Sequence, residues 1–229
     1  TFSSGASKAW FDYKEKGFEV LLWDQGFFLS RVEDLPIESE AKRALRDYQR
    51  KAVDALHLSL ESERKKGLIT LATGLGKTVV ASTFISEYLE KKPDAKVLVL
   101  AHMNGLVRQL DRSCWASFSK FVETHIWTDG EKPAYGEGVT FATWQSVESA
   151  LNSGEPLSKA FDLVVIDECH HAPSDSYSNL IFSLEPEYLL GLTATPWRGD
   201  NRSLRPLFGD PVFSMDVVEG MQAGYLAQV

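Results

Sequence analysis

ITLATGLGKTVVASTFISEYL, Ile69 to Leu89, decides the fold. Its first residues, Ile69-Thr70-Leu71-Ala72, form a short apolar run of strand length. From Val79 onward the apolar residues recur at helical spacing, with Val80, Phe84 and Tyr88 on one line and Ala81, Ile85 and Leu89 beside it. Between the two lies Thr73-Gly74-Leu75-Gly76-Lys77-Thr78. Glycines let such a loop curl until successive N–H groups point at phosphate oxygens, and the helix that follows adds positive potential at its N-terminus. Lys77 is then the side chain that reaches the β- and γ-phosphates, and the Thr78 hydroxyl is a ligand for Mg²⁺. The strict pattern asks for a glycine where this chain has Leu71.

The same alternation continues outward. Val97-Leu98-Val99-Leu100 is a second apolar run, followed by helically spaced Leu106, Val107 and Leu110. Further strands are expected at 125–127, 139–143, 163–166 and 189–192. Strands apolar on both faces and separated by helices predict a three-layer α/β domain with a largely parallel central sheet. An amphipathic helix over roughly 41–64 precedes it, with Leu45, Tyr48, Val53, Leu56 and Leu60 on one face. Residues 1–40 are rich in aromatics and reach Pro36, so they read as a small flanking element, the end of another module, with the main domain at 41–229.

The chain has 229 residues, 44% of them apolar and 24% charged, enough for one large core. No run of about 18 apolar residues and no basic-then-apolar leader is present. An intracellular, cytoplasmic setting is therefore expected, or the nucleus in a eukaryote, with no membrane partner. The 2 cysteines, Cys114 and Cys169, are far apart and supply no disulfide framework. The net charge of −8 excludes a broad basic face for nucleic acid, so any such contact is local. A chain opening on Thr1 is expected to be a portion of a longer protein.

Leu163-Val164-Val165-Ile166 ends in Asp167-Glu168-Cys169-His170-His171, and all five of these last residue types can bind metal. Adjacent side chains on a strand point to opposite faces, and structural zinc sites pair ligands two to four residues apart, twice. A carboxylate at the carboxyl edge of a buried strand instead sits where open α/β sheets bind ligands. Asp167 is then the Mg²⁺ holder and Glu168 the residue that orients or deprotonates an attacking water. His171 receives no assignment.

Taken together, these motifs resemble the first RecA-like motor domain, a P-loop fold, of a superfamily 2 helicase or translocase. The likeness is to the DExH branch, with restriction-enzyme helicase subunits and related repair helicases. Leu45-Arg46-Asp47-Tyr48-Gln49-Arg50 resembles the glutamine motif, Thr73 to Thr78 motif I and Val97 to Gln109 motif Ia. Phe141 to Ser146 resembles the next nucleic-acid motif. Asp167-Glu168-Cys169-His170 resembles motif II, and Gly191-Leu192-Thr193-Ala194-Thr195-Pro196 motif III.

The resemblance implies ATP and Mg²⁺ as cofactors, with Arg46, Gln49, Thr73, Gly74, Leu75, Gly76, Lys77 and Thr78 binding nucleotide and Gln49 hydrogen-bonding adenine. It implies catalytic roles for Glu168, Asp167 and Lys77, and coupling roles for His170, Thr193 and Thr195. His102, Asn104, Thr143 and Gln145 become the nucleic-acid residues, with DNA favoured over RNA. Motif Ia departs from the family, because Ala101-His102 is followed by Met103-Asn104-Gly105 where arginine is frequent. Trp197 and Arg198 are candidates for stacking on or pairing with a strand. Arginine fingers come from a second RecA-like domain in this family, and Arg198, Arg202 and Arg205 lie too early to match them. The implied activity is ATP hydrolysis coupled to movement on nucleic acid, weak or absent in this portion alone. A metal-dependent nuclease using Asp167 and Glu168, or a non-catalytic sensing module, are the other readings.

Overall fold

The structure is a computed structural model and describes residues 44–119, 121–128, 137–171, 174–195 and 204–227. The flanking element expected at 1–40, and Pro196, Trp197, Arg198 and Arg202, lie outside them. Among the described residues the chain runs α1 (Asp47–Glu61), β1 (Lys66–Leu71), α2 (Lys77–Lys91), β2 (Lys96–Ala101), α3 (Asn104–Trp115), β3 (Thr124–Trp127) and β4 (Gly138–Thr143). It continues through α4 (Trp144–Asn152), β5 (Leu163–Ile166), a 3₁₀ turn (Cys169–His171) and α5 (Ser174–Leu184). It closes with β6 (Tyr188–Thr193), α6 (Arg205–Phe208), β7 (Phe213–Met215) and α7 (Val217–Gln222).

The strands form one sheet in the order β3-β4-β2-β5-β6-β1-β7, with every pairing parallel. The six strands expected from the sequence are present, with β5 at the expected bounds, β1 starting three residues earlier and ending one earlier, and β7 unforeseen. The first helix is shorter than the apolar stripe suggests: it starts at Asp47, behind an Arg46 cap whose backbone N–H donates to Gln49 Oε1 at 3.0 Å.

Alternate residues of each strand feed two cores. Ile69, Leu71, Val97, Val99, Val165, Leu190 and Leu192 pack with Leu56, Val80, Phe84 and Val107 of α1, α2 and α3. Leu68, Leu98, Leu100, Val164, Ile166 and Leu189 pack with Val147, Leu180, Leu184 and Phe208 of α4, α5 and α6. Burial on both faces is what makes these strands continuous apolar runs. Full burial of each such side chain is worth about 1.5–3 kcal/mol, which fixes the layers.

Topology then positions the site. In the sheet β5, β6 and β1 are neighbours, so the segments leaving their carboxyl edges, 72–76, 167–170 and 194–195, arrive side by side. The register aligns Ile166 with Gly191 and Thr70 with Thr193 at that edge.

Candidate nucleotide and coupling site

The loop from β1 to α2 is held by its backbone. Gly76 caps α2 in the left-handed region at φ 82°, and Gly74 sits there at φ 88°. An L side chain at 76 would be strained there, and its Cβ would lie 2.6 Å from Gln49 Nε2. Leu75 is fully buried, and its carbonyl accepts from Tyr48 Oη at 2.6 Å and from Gln49 Nε2 at 3.1 Å. Helix α1 thus grips the loop at its middle. Lys77 and Thr78 follow as the first two residues of α2, where helix N–H groups have no intrahelical partner.

Lys77 Nζ lies 3.2 Å from Glu168 Oε1 and donates to the Leu71 carbonyl at 3.5 Å. On the other side of Glu168, Oε2 lies 3.3 Å from His170 Nδ1. The backbone explains this placement. Asp167 N–H still donates to the Leu100 carbonyl at 2.9 Å, as the last rung beyond β5, and Glu168 then turns the chain with φ at +45°. A non-glycine residue in that region carries strain of about 1–3 kcal/mol, and the result aims the Glu168 carboxylate between Lys77 and His170.

His170 Nδ1 is also 2.8 Å from Thr193 Oγ1. Thr193 Oγ1 donates to the Thr195 carbonyl at 2.7 Å and accepts from the Thr195 N–H at 3.1 Å. A hydroxyl has one proton, and Thr193 directs it to Thr195. His170 Nδ1 must therefore carry hydrogen, which suits the Glu168 carboxylate beside it. The chain Lys77–Glu168–His170–Thr193–Thr195 links the ends of β1, β5 and β6. Thr193, at the centre of the β6 end of this link, is fully buried.

Burial, reinforced by the adjacent Glu168 charge and opposed by Lys77, pushes the Asp167 carboxyl up from 3.8 to about 6. Two carboxylates here face one ammonium. The donors on hand, the Asp167 carboxylate and the Thr78 hydroxyl, are hard oxygens of the kind Mg²⁺ prefers, so the residues fit a divalent cation. Cys169 is buried beneath them with 1% exposure, and burial raises its thiol far above the usual range. The described residues contain no group of three His, Cys, Asp or Glu able to hold one ion. The His171 side chain lies outside the description.

The residues assigned to nucleic acid gather at the carboxyl edges of β2 and β4, apart from the nucleotide cluster. Asn104 is exposed on the first turn of α3, next to Met103 with 58% exposure. Exposed Gln145 donates from Nε2 to the His102 carbonyl at 3.5 Å. Thr143 differs from the expectation: it is buried, and its hydroxyl caps α4 by accepting from Ser146 N–H at 3.3 Å, with Ser146 Oγ at 2.8 Å. Its side chain is committed to the helix start, and so it shapes this edge from within. Arg205 is engaged with Asp210, 2.9 Å away.

Three residues border the loop without any role foreseen from the sequence. The Tyr48 and Tyr225 rings pack at 4.5 Å between centroids, the Arg46 guanidinium lies over Tyr225 at 5.7 Å, and Leu226 lies against Gly74 and Gly220. Tyr48 stood in the glutamine motif only as a helix-face residue; Tyr225 and Leu226 carry no local signal.

Residues 42–198 match the family described as "Type III restriction enzyme, res subunit". The chain is 32% identical over 199 residues to the "DNA 3'-5' translocase XPB2" of Sulfurisphaera tokodaii, covering 86% of this chain and 42% of that protein. It is 30% identical over 189 residues to the "Type I restriction enzyme EcoAI endonuclease subunit" of Escherichia coli, covering 80% and 23%. The chain thus spans less than half the length of these relatives. Among solved structures, the UvsW helicase of bacteriophage T4 matches with TM-score 0.59 and 18% identity over 93% of this chain and 77% of that one, a likeness of fold. With the family match covering most of the chain and the loop, carboxylate and threonine segments meeting at one sheet edge, the chain belongs to the restriction-enzyme res-subunit family, as a first RecA-like motor domain of superfamily 2.

Proposed function

We propose that this chain is the ATP-binding part of a DNA helicase or translocase, in which ATP hydrolysis drives movement on DNA together with a second RecA-like domain. The observation that carries the proposal is the contact chain from Lys77 through Glu168 and His170 to Thr193, which spans the ends of three neighbouring strands. Similarity to a DNA translocase and to a restriction-enzyme subunit favours DNA as the track. The short element at 1–40 is proposed as the end of an adjoining module.

In this mechanism the loop N–H groups and the α2 N-terminus receive the phosphates. Lys77 exchanges Glu168 for the terminal phosphates, which leaves the Glu168 carboxylate able to accept a proton from an attacking water. His170, with Nδ1 directed to Thr193, lies beside the other carboxylate oxygen and links its charge to Thr193 and Thr195. Mg²⁺ held by Thr78 and Asp167 would supply charge neutralisation at the phosphates. Asn104 and Gln145, with His102 behind them, form the proposed strand contact, and Thr143 supports it as a cap.

The test is calorimetry with Mg-ATP on the wild type and on Lys77→Ala, which is expected to lose at least tenfold in affinity. Equal affinities would remove the loop from nucleotide binding. In a protein in which this chain is joined to a second RecA-like domain, DNA-stimulated ATPase activity should be present and should vanish in Glu168→Gln; turnover indifferent to DNA would count against a motor.

A further inference from the structure

Beside the contact chain lies a hydroxyl that it leaves unused. Thr70 is 8% exposed, and its Oγ1 is enclosed with no hydrogen-bond partner among the described residues. A polar atom shut away from water and left unpaired is a cost that folded proteins rarely carry, so it calls for a use in another arrangement.

The sheet identifies that arrangement. Ile69 and Leu71 pack in the core with α1, α2 and α3, so Thr70 points to the other face, with Leu68. Thr193 follows Leu192 in the same way and lies on the same face as Thr70. The two threonines are register partners across the parallel pair β1 and β6. Neighbouring strands run about 4.8 Å apart, and threonines paired across strands are within reach of a hydroxyl–hydroxyl bond. The apolar cluster on this face includes Leu68, Leu207 and Phe208.

That bond is not made because Thr193 has no capacity left. A hydroxyl offers one proton and two lone pairs. Thr193 gives its proton to the Thr195 carbonyl at 2.7 Å, accepts the Thr195 N–H at 3.1 Å, and has His170 Nδ1 at 2.8 Å on the remaining lone pair. Thr70 can donate to Thr193 only when one of these contacts is given up, and His170 is the one tied to the nucleotide site. Its Nδ1 lies 3.3 Å from Glu168 Oε2, and Glu168 Oε1 lies 3.2 Å from Lys77.

We infer that Thr70 is a positioning residue of the coupling site, the alternate partner that takes up the Thr193 hydroxyl when the Glu168–His170 pair shifts. This rests on the nucleotide reading given above. His170 and Thr70 exclude one another on the same lone pair, so the exchange has two states and no intermediate. In the first, Thr193 is full and Thr70 unpaired; in the second, Thr70 is paired and His170 released. The unpaired hydroxyl narrows the free-energy gap between them, so that a modest change at Glu168 is enough to move the equilibrium.

The experiment follows the His170 ring nitrogens by ¹⁵N spectroscopy, with and without Mg-ATP, with binding measured in parallel by calorimetry and His170→Gln identifying the signal. Wild type and Thr70→Ser are expected to change the Nδ1 signal when nucleotide binds. Thr70→Val keeps the shape of the side chain but has no proton to donate; it should bind nucleotide and hold the nucleotide-free signal. Ser214→Ala removes the hydroxyl in register with Thr70 on its other side, in β7, and should respond as wild type does. Thr70→Val should also melt at or above the wild-type temperature, because it loses no bond.

A Thr70→Val chain that melts well below wild type has lost a hydroxyl already paired in the nucleotide-free protein, which overturns the inference. A nucleotide response in Thr70→Val equal to that of wild type overturns it too, as does a response lost in Ser214→Ala. A wild type that binds Mg-ATP with its His170 signal unchanged overturns this inference and leaves the nucleotide reading standing. A wild type that binds no Mg-ATP removes both.

Discussion

Asp167→Asn should make the protein more stable at neutral pH, although it removes a residue from the proposed site. Burial and the neighbouring Glu168 raise the Asp167 carboxyl from 3.8 to about 6, against the opposing pull of Lys77. Each tenfold change in a protonation constant is about 1.4 kcal/mol. Holding Asp167 ionised at pH 7 in the folded state therefore costs about 3 kcal/mol relative to the unfolded chain. The sign follows from the direction. The native carboxyl binds its proton more tightly than the unfolded one, so its contribution favours folding at low pH and is lost as pH rises through the window from 3.8 to about 6. Urea unfolding with a chelator present measures it. At pH 7 Asp167→Asn should gain about 1–3 kcal/mol, less than the full amount because an amide cannot accept the Glu168 N–H as a carboxylate does. The gain should shrink as pH falls towards 4. A variant no more stable than wild type at pH 7, or a gain independent of pH, would refute the argument that this carboxylate is held at an electrostatic disadvantage.

Gly76→Ala combines left-handed strain of about 1–2 kcal/mol with a Cβ placed 2.6 Å from Gln49 Nε2. It is expected to lower the melting temperature and to weaken Mg-ATP and Mg-tripolyphosphate binding alike in calorimetry; a neutral effect on both would contradict the described loop. Thr193→Val removes the hydroxyl that joins His170 to Thr195. Losing hydrogen bonds to these part-buried and exposed partners should cost about 0.5–1.5 kcal/mol in denaturant unfolding. In ¹⁵N spectra the His170 Nδ1 should lose the signature of a fixed protonated site, and an unchanged tautomer would count against the assignment.

Most of the architecture was legible in the sequence, because doubly buried parallel strands are written as unbroken apolar runs. The exception is β7, Phe213–Met215, where an exposed Ser214 interrupts a three-residue edge strand. Nothing local distinguishes it from a loop, and only pairing with Ile69 to Leu71 makes it a strand. In the site, Lys77, Glu168, His170 and Thr193 were legible as motifs, since chemistry at a strand end constrains residue type and order. The partners of Gln49 were not, because side-chain contacts with a carbonyl far along the chain leave no periodic trace. Tyr225 was further from view, with Arg46 reaching it across a separation of 179 residues. Thr143 was legible in another way: a threonine ahead of a helix with Ser146 three positions on is a capping pattern. That use of its hydroxyl as the α4 cap competes with contact to a strand.

The charge distribution explains why loop and carboxylates form one unit. Lys77 is closest to Glu168, at 3.2 Å, while Asp167 remains the carboxylate with the raised protonation constant. A triphosphate arriving alone would compete with Glu168 for Lys77 and add negative charge beside a carboxylate already disfavoured by burial. A triphosphate arriving with a divalent cation supplies the opposite charge at Asp167 and relieves that penalty. On the proposed reading, nucleotide and cation would therefore bind cooperatively by electrostatics. If Lys77 turned to phosphate, Glu168 would be freed at Oε1 while His170 Nδ1 lies 3.3 Å from Oε2. Its remaining neighbour would then lie towards β6, so a carboxylate that lost its cation on the loop side would shift its electrostatic demand onto His170 and, through the contact of His170 with Thr193 at 2.8 Å, onto that strand end.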